Sequence, residues 1–213
     1  MRMKGVLWLV MFGIWTVLIR MVDVQCAGET GTAIGFATFN IGFHRLTGVH
    51  MEIYTATDWL GLIPIFVCIL FACIGVLQLI TRRSLWKVDH DILLLGGYYV
   101  IVIGCYLLFE MIPVNYRPIL IEGRMEASYP SSTTLLVLSV MPTLNVQIMH
   151  RWKHMRGMRV LRFLTTLFSL GMVIGRLVSG VHWLTDIVGA VFLSAGLFEV
   201  YQAAVRWYCK EEF

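Results

Sequence analysis

Between Gly175 and Asp186 the chain reads GRLVSGVHWLTD, with an arginine, a histidine and an aspartate inside one of its most apolar stretches. His182 and Asp186 are four residues apart. On a helix they share a face, where Asp186 accepts a hydrogen bond from one ring nitrogen of His182. That bond fixes the imidazole tautomer and leaves the other nitrogen free to attack an electrophile or take a proton. Arg176 stands six residues earlier, across a Ser-Gly pair suited to a turn that lets the three side chains converge. A His-Asp pair that merely links helices is the plain alternative. Ionisable groups set in membrane-type sequence favour the functional reading.

A second group lies in NYRPILIEGRMEASYPSSTT, from Asn115 to Thr134. Tyr116-Arg117-Pro118 reads as an extended turn that holds Arg117 at the membrane surface. Pro130 suits the first position of a helix. Ser131, Ser132 and Thr133 then bring hydroxyls and free backbone N–H groups to a helix start, which attracts anions. Simple helix capping also accounts for these three residues. Taken with Arg117, Arg176 and an oriented histidine, the anion they fit is phosphate.

The elements that must position these residues are membrane spans. The chain of 213 residues is 58% hydrophobic and 14% charged, with a mean hydropathy of +0.77. Soluble domains run nearer about half apolar and about a quarter charged. The excess is gathered into runs of roughly 18 or more apolar residues, each long enough to cross a bilayer. The chain reads as all-α, one six-span membrane domain over residues 1–213. The expected spans are Gly5 to Val22, Trp59 to Ile80, Ile92 to Phe109, Ser131 to Met149, Leu161 to Leu177 and Trp183 to Val205. Basic residues before the first span, and no A-x-A-like cleavage site after it, read as an uncleaved signal anchor.

Six spans put both termini on one side. If that side is cytoplasmic, it holds Arg2, Lys4, Arg82, Arg83, Lys87, Arg151, Lys153, Arg156, Arg159, Arg162, Arg206 and Lys210, which is 12 of the 17 basic residues. That bias is the positive-inside pattern, and it places the two motif groups on the outer face of the cell membrane. Arg117, Arg124 and Arg176 then sit where basic residues are disfavoured, which marks them for a task. RWKHMRGMRVLR, from Arg151 to Arg162, has an orienting role, with anionic lipid heads as natural contacts. The net charge of +4 therefore says nothing of nucleic acid. Of the five cysteines, Cys68, Cys73 and Cys105 fall in spans, Cys26 faces outward and Cys209 inward, with neither a disulfide framework nor metal-site spacing. In the long outer loop from Asp23 to Asp58, residues Phe36, Phe39, Phe43 and Leu46 share one helical face. They suit a helix lying in the interface, either as a packing element or as a lid.

The two polar groups together resemble the type-2 phosphatidic acid phosphatase superfamily of integral-membrane lipid phosphatases. Its signature is a Lys, six residues and Arg-Pro; then Pro-Ser-Gly-His; then Ser-Arg, five residues, His, three residues and Asp. The third element is nearly complete as Gly175-Arg176, five residues, His182, three residues and Asp186. The first survives as Arg117-Pro118 and the second as Pro130-Ser131-Ser132-Thr133. The resemblance implies that His182 attacks phosphorus to form a phosphohistidine, with Asp186 orienting it. Arg117, Arg176, Arg124 and the start of the fourth span (Ser131, Ser132, Thr133) would hold the phosphoryl oxygens. The expected partners are a lipid phosphate substrate and membrane lipids, with no metal or other cofactor.

Three positions depart from the signature. Glu110 stands at the first lysine, Gly175 at the serine, and Thr133 at the histidine that protonates the leaving oxygen in the family. Arg124 is a candidate for the missing cation. Glu110, Glu122, Glu126, His44 and His50 are candidates for the missing proton donor. A lipid monophosphate must expel an alkoxide, whose conjugate acid resembles water with a pKa of about 15.7. A diphosphate expels a phosphate ester with a pKa nearer ~6. Loss of the acid therefore favours diphosphates. A phosphotransferase on the same fold and a lipid-phosphate-binding protein are the competing readings. A transporter fits poorly, because the charges gather at span ends.

Overall fold

Apolar runs of this length have one open-ended solution in lipid. A helix satisfies every backbone N–H and C=O within its own segment. The computed structural model describes residues 2–29, 31–151 and 157–209. Within them the order is α1 (Arg2–Met21), a small antiparallel hairpin of β1 (Gln25–Ala27) and β2 (Thr32–Ile34), α2 (Ala37–Thr47), α3 (Met51–Leu60), α4 (Leu62–Arg82), α5 (His90–Met111), α6 (Ser132–Arg151), α7 (Met158–Val178) and α8 (Leu184–Cys209). Among the described residues, six helical segments are long and apolar enough to cross a membrane. The chain is an all-α, multi-pass membrane protein. Leu7, Phe66, Ile80, Val100 and Phe163 stand exposed along the spans, as side chains facing lipid do.

α6 is the buried strut of the bundle, with more than half of its spanning window covered. It packs against α4, α5, α7 and α8. Its polar side chains join neighbouring helices: Thr143 meets the Tyr99 hydroxyl of α5 at 2.8 Å, and Gln147 donates to the Tyr201 hydroxyl of α8 at 3.4 Å. Such contacts replace the hydrophobic drive that lipid does not supply between helices.

The span boundaries agree with the sequence expectation to within four residues. The difference of consequence is α3. Only Gly61 separates it from α4, and Gly61 keeps a helical φ of −61°. The second span thus carries a helical extension that the sequence reading left in a loop. α3 lies on α7 so closely that a Cβ added to Gly175 would come within 2.7 Å of Thr57 Cγ2. That contact accounts for glycine where the signature has serine.

At the end of the bundle carrying the termini, Arg151 is more than an orienting charge. It pairs with Asp89 at 3.0 Å and grips Asp91 through both carboxylate oxygens at 2.7 and 2.6 Å. Burial raises the Asp89 carboxyl, but bonds from Arg82, Arg151 and Gln78 outweigh it and bring the pKa to about 2. The network ties α4, α5 and α6 together. Lys153, Arg156 and Lys210 of the basic set, and the Cys209 side chain, lie outside the described residues.

Candidate active site

The turn from α7 to α8 carries the site. Arg176 occupies the last turn of α7, and its carbonyl accepts the Ser179 hydroxyl at 2.8 Å. Gly180 follows with φ +71°, and a Cβ there would run into the Gly48 carbonyl oxygen. His50 N donates to the Ser179 carbonyl at 3.0 Å, and His44 Nε2 donates to the Gly180 carbonyl at 3.0 Å. The long loop thus clamps this turn by its backbone. Gly180→Ala should lower stability by at least about 1 kcal/mol from the left-handed backbone alone. A lowered thermal midpoint of the purified protein checks this.

His182 sits in the turn ahead of α8 rather than on the helix, so the expected hydrogen bond from His182 to Asp186 is not made. Nδ1 lies 3.9 Å from Asp186. Asp186 is the third residue of α8. From there its carboxylate reaches back to the Trp183 N–H at 2.9 Å, the acidic half of a capping box. It also accepts Asn115 Nδ2 at 3.1 Å. A helix start has N–H groups without partners, and Asp186 is engaged by one of them.

The tautomer of His182 is set by other partners. Nδ1 lies 3.2 Å from the Ser128 carbonyl, and Nε2 lies 3.2 Å from Arg176 Nη2. A carbonyl only accepts and a guanidinium only donates. His182 is therefore protonated on Nδ1 and carries its lone pair on Nε2. Burial first, then the Arg117 and Arg176 charges, hold its pKa well below 6.5, and the Ser128 bond offsets this in part. The ring is neutral near pH 7, the form a nitrogen nucleophile needs.

Two cations flank it. The Arg176 and Arg117 guanidinium groups lie 4.9 and 5.8 Å from the centre of the Tyr54 ring. Arg176 Nη1 is 3.5 Å from Thr57 Oγ1 and 3.7 Å from Asp58. Arg117 Nε is 3.1 Å from Glu126. Arg117 Nη1 and Arg176 Nε are buried without a hydrogen-bond partner, a costly state for a charged donor. An anion between the arginines would satisfy these donors and relieve the repulsion of like charges. Beside them is a cavity of about 200 Å³ lined by His182, Arg117, Ser128, Ser132, Glu110 and Glu126, among others. An apolar cavity of about 540 Å³ between α4, α5 and α6 shares Tyr106, Ser132 and Leu135 with it.

Residues 105–208 match the family model of the PAP2 superfamily. That stretch belongs to the PAP2 superfamily. Its fold is similar to the crystal structure of a transmembrane PAP2-type phosphatidylglycerolphosphate phosphatase from Bacillus subtilis. The match has a TM-score of 0.65 and 16% identity over 96% of this chain and 97% of the other. No curated protein matches the chain.

The PAP2 signature residues are only partly gathered. Arg117, Arg176, His182 and Asp186 meet at the turn. Of the three residues expected at the start of the fourth span, only Ser132 lines the cavity beside His182. Ser131 is fully buried, and its N–H is used by the Asp186 carbonyl at 3.2 Å. Thr133 faces the apolar cavity instead. Pro130 precedes the helix, whose first residue is Ser132. Arg124 stands exposed in a tight turn opposite Ile121 and lines neither cavity. Among the alternative proton donors, Glu110 and Glu126 line the His182 cavity. Glu122 is exposed in that same tight turn, and His44 and His50 are turned to backbone carbonyls.

Sequence reading missed Tyr54, Thr57 and Asp58, which α3 delivers to Arg176, and Asn115 and Ser128, which hold Asp186 and His182. The i, i+3, i+4 spacing of Tyr54, Thr57 and Asp58 just ahead of an apolar span was the available signal. A helix does form in the long loop as α2, although Phe36 precedes it with a left-handed φ of 48° and only Phe39, Phe43 and Leu46 of the expected face lie on it. Phe39 and Leu46 are exposed, while Asn40 donates to Thr185 Oγ1 and the Gly35 carbonyl, bracing the start of α8. None of its residues lines the His182 cavity, so α2 acts here as a packing element.

Proposed function

We propose that the chain is a lipid phosphatase that removes the terminal phosphate of a lipid phosphate, with diphosphates preferred, through a phosphohistidine on His182. The observation that carries this is the neutral His182 ring, with its Nε2 lone pair held against Arg176 beside a cavity lined by Arg117. Arg176 rests on that lone pair. A phosphoryl oxygen is the stronger acceptor because its bond to the guanidinium joins opposite charges. Bound substrate would therefore draw Arg176 away and expose Nε2. Nε2 attacks phosphorus in line, the P–O bond breaks, and the electron pair leaves with the lipid. The charge arriving on the ring is met by the Ser128 carbonyl at Nδ1 and by the nearby Asp186. The two arginines stabilise the phosphoryl oxygens, the main protein contribution to such a transfer.

The apolar cavity supports a lipid leaving group. It continues into a further apolar cavity of about 600 Å³ between α4 and α5 through the shared residues Cys68, Tyr99 and Ile103. We place the termini in the cytoplasm and the site at the outer face of the cell membrane. Lys4, Arg82, Arg83, Lys87, Arg151, Arg159, Arg162 and Arg206 all belong to the end opposite His182, which supports that orientation. The phosphatidylglycerolphosphate phosphatase of similar fold makes a phospholipid monophosphate the natural comparison substrate.

The test is to incubate the purified protein with lipids labelled with ³²P in the terminal phosphate, matched as mono- and diphosphates. The expected result is faster release from the diphosphate and a trapped label on His182 that acid removes and alkali does not. Comparable turnover of the two lipids would overturn the diphosphate preference. Binding without release or label would overturn the phosphatase reading in favour of a lipid-phosphate-binding protein.

A further inference from the structure

Thr133 leaves the second motif without its histidine, and the fold brings a carboxylate to the same place from a different helix. Asp58 lies in the last turn of α3. It lines the apolar cavity together with Thr133 and Ser132, and among the described residues it is the one carboxylate that does so. The α3–α4 junction rests on Thr133, since a Cβ on Gly61 would lie 3.5 Å from Thr133 Cγ2. Asp58 Oδ1 is 3.7 Å from Arg176 Nη1, and Arg176 Nη2 is 3.2 Å from His182 Nε2. One guanidinium group thus spans the distance from this carboxylate to the nucleophile. The Asp58 side chain is 61% exposed, so water reaches it.

In-line chemistry selects which carboxylate can act. The leaving oxygen departs opposite Nε2, and water must later enter along the same line. The leaving group carries the apolar chain, so that line opens toward the apolar cavity. Glu110 and Glu126 line the other cavity, and Glu126 is engaged with Arg117 at 3.1 Å.

Resting on the phosphatase reading above, we infer that Asp58 is the general base that activates water to hydrolyse the phosphohistidine. Water attacks phosphorus, its proton passes to the Asp58 carboxylate, and the P–N bond breaks with its electron pair returning to Nε2. The products are inorganic phosphate and the neutral Nδ1–H ring, and Asp58 then releases the proton to solvent. A carboxylate serves as base for this step, while an alkoxide leaving group would need an acid. The division of labour fits a diphosphate substrate, whose leaving group departs without a proton.

The experiment compares wild type, Asp58→Asn and Asp58→Glu on the ³²P-labelled lipid diphosphate, following rapid release of the lipid monophosphate, steady phosphate release and label on His182. General base catalysis contributes about 10²–10⁴-fold. Asp58→Asn should therefore keep the initial burst, lose about 10²-fold or more in steady release, and accumulate label, with partial rescue in Asp58→Glu. Two results overturn the inference. One is unchanged steady release. The other is a burst slowed as much as the steady rate with no accumulated label, which is what a role limited to holding Arg176 predicts. Failure of wild type itself both to release phosphate and to label His182 would instead remove the phosphatase reading, and release without label would overturn this inference along with the phosphohistidine.

Discussion

His182→Ala should abolish phosphate release while leaving a folded protein. The variant removes the attacking atom, and loss of a nucleophile of this kind costs roughly 10⁴-fold or more in turnover. It also strips a partner from the Ser128 carbonyl and from Arg176, costing about 1–3 kcal/mol as the penalty of a buried group left unpaired. Thermal unfolding of the purified variant separates the two effects. A modest drop in midpoint with no turnover is the expected pair, and turnover within tenfold of wild type would exclude His182 as nucleophile.

The same comparison has a pH dependence. The folded pKa of His182 is depressed, so between that value and about 6.5 the unfolded chain binds the proton and the folded chain does not. Stability therefore falls as pH drops below the unfolded value, and the loss continues down to the folded one. Wild type should lose midpoint faster than His182→Ala between pH 7 and pH 5, narrowing the gap between them. A gap constant across that range would mean that the ring is not buried in its neutral form.

Arg176→Lys is expected to be the second most damaging change, at about 10²–10³-fold in kcat/KM. A lysine keeps the charge but is a point donor without the planar fork. It cannot meet Thr57, His182 and a phosphoryl oxygen from one plane, or stack on Tyr54 as the guanidinium does. Arg124→Ala is the control. Its side chain is exposed and lines neither cavity, so activity should stay within about twofold, the range of an exposed substitution worth about 0.5 kcal/mol. Equal losses in the two variants would mean that Arg124 reaches the phosphate and that the cavity beside His182 has been misassigned.

The number of spans, the bounds of each and the choice of Arg117, Arg176, His182 and Asp186 as residues to bring together were legible in the sequence alone. Each rests on local information. Apolar length decides a span, and residue type at short spacing decides a motif. The contacts within the motif were decided only by tertiary structure. Four-residue spacing pairs His182 with Asp186 on a helix, but α8 begins after His182, and the unpaired N–H at its start takes the carboxylate. The tautomer then falls to Ser128 and Arg176, groups that are 54 and 6 residues away in sequence. Ser131, Ser132 and Thr133 are adjacent in the chain yet reach a buried backbone contact, both cavities and the apolar cavity alone respectively, because the start of α6 turns each to a different neighbour. Asp58 joins the site from over a hundred residues away through the fit of Thr57 against Gly175. No short-range pattern encodes that contact, because it exists only where α3 and α7 cross.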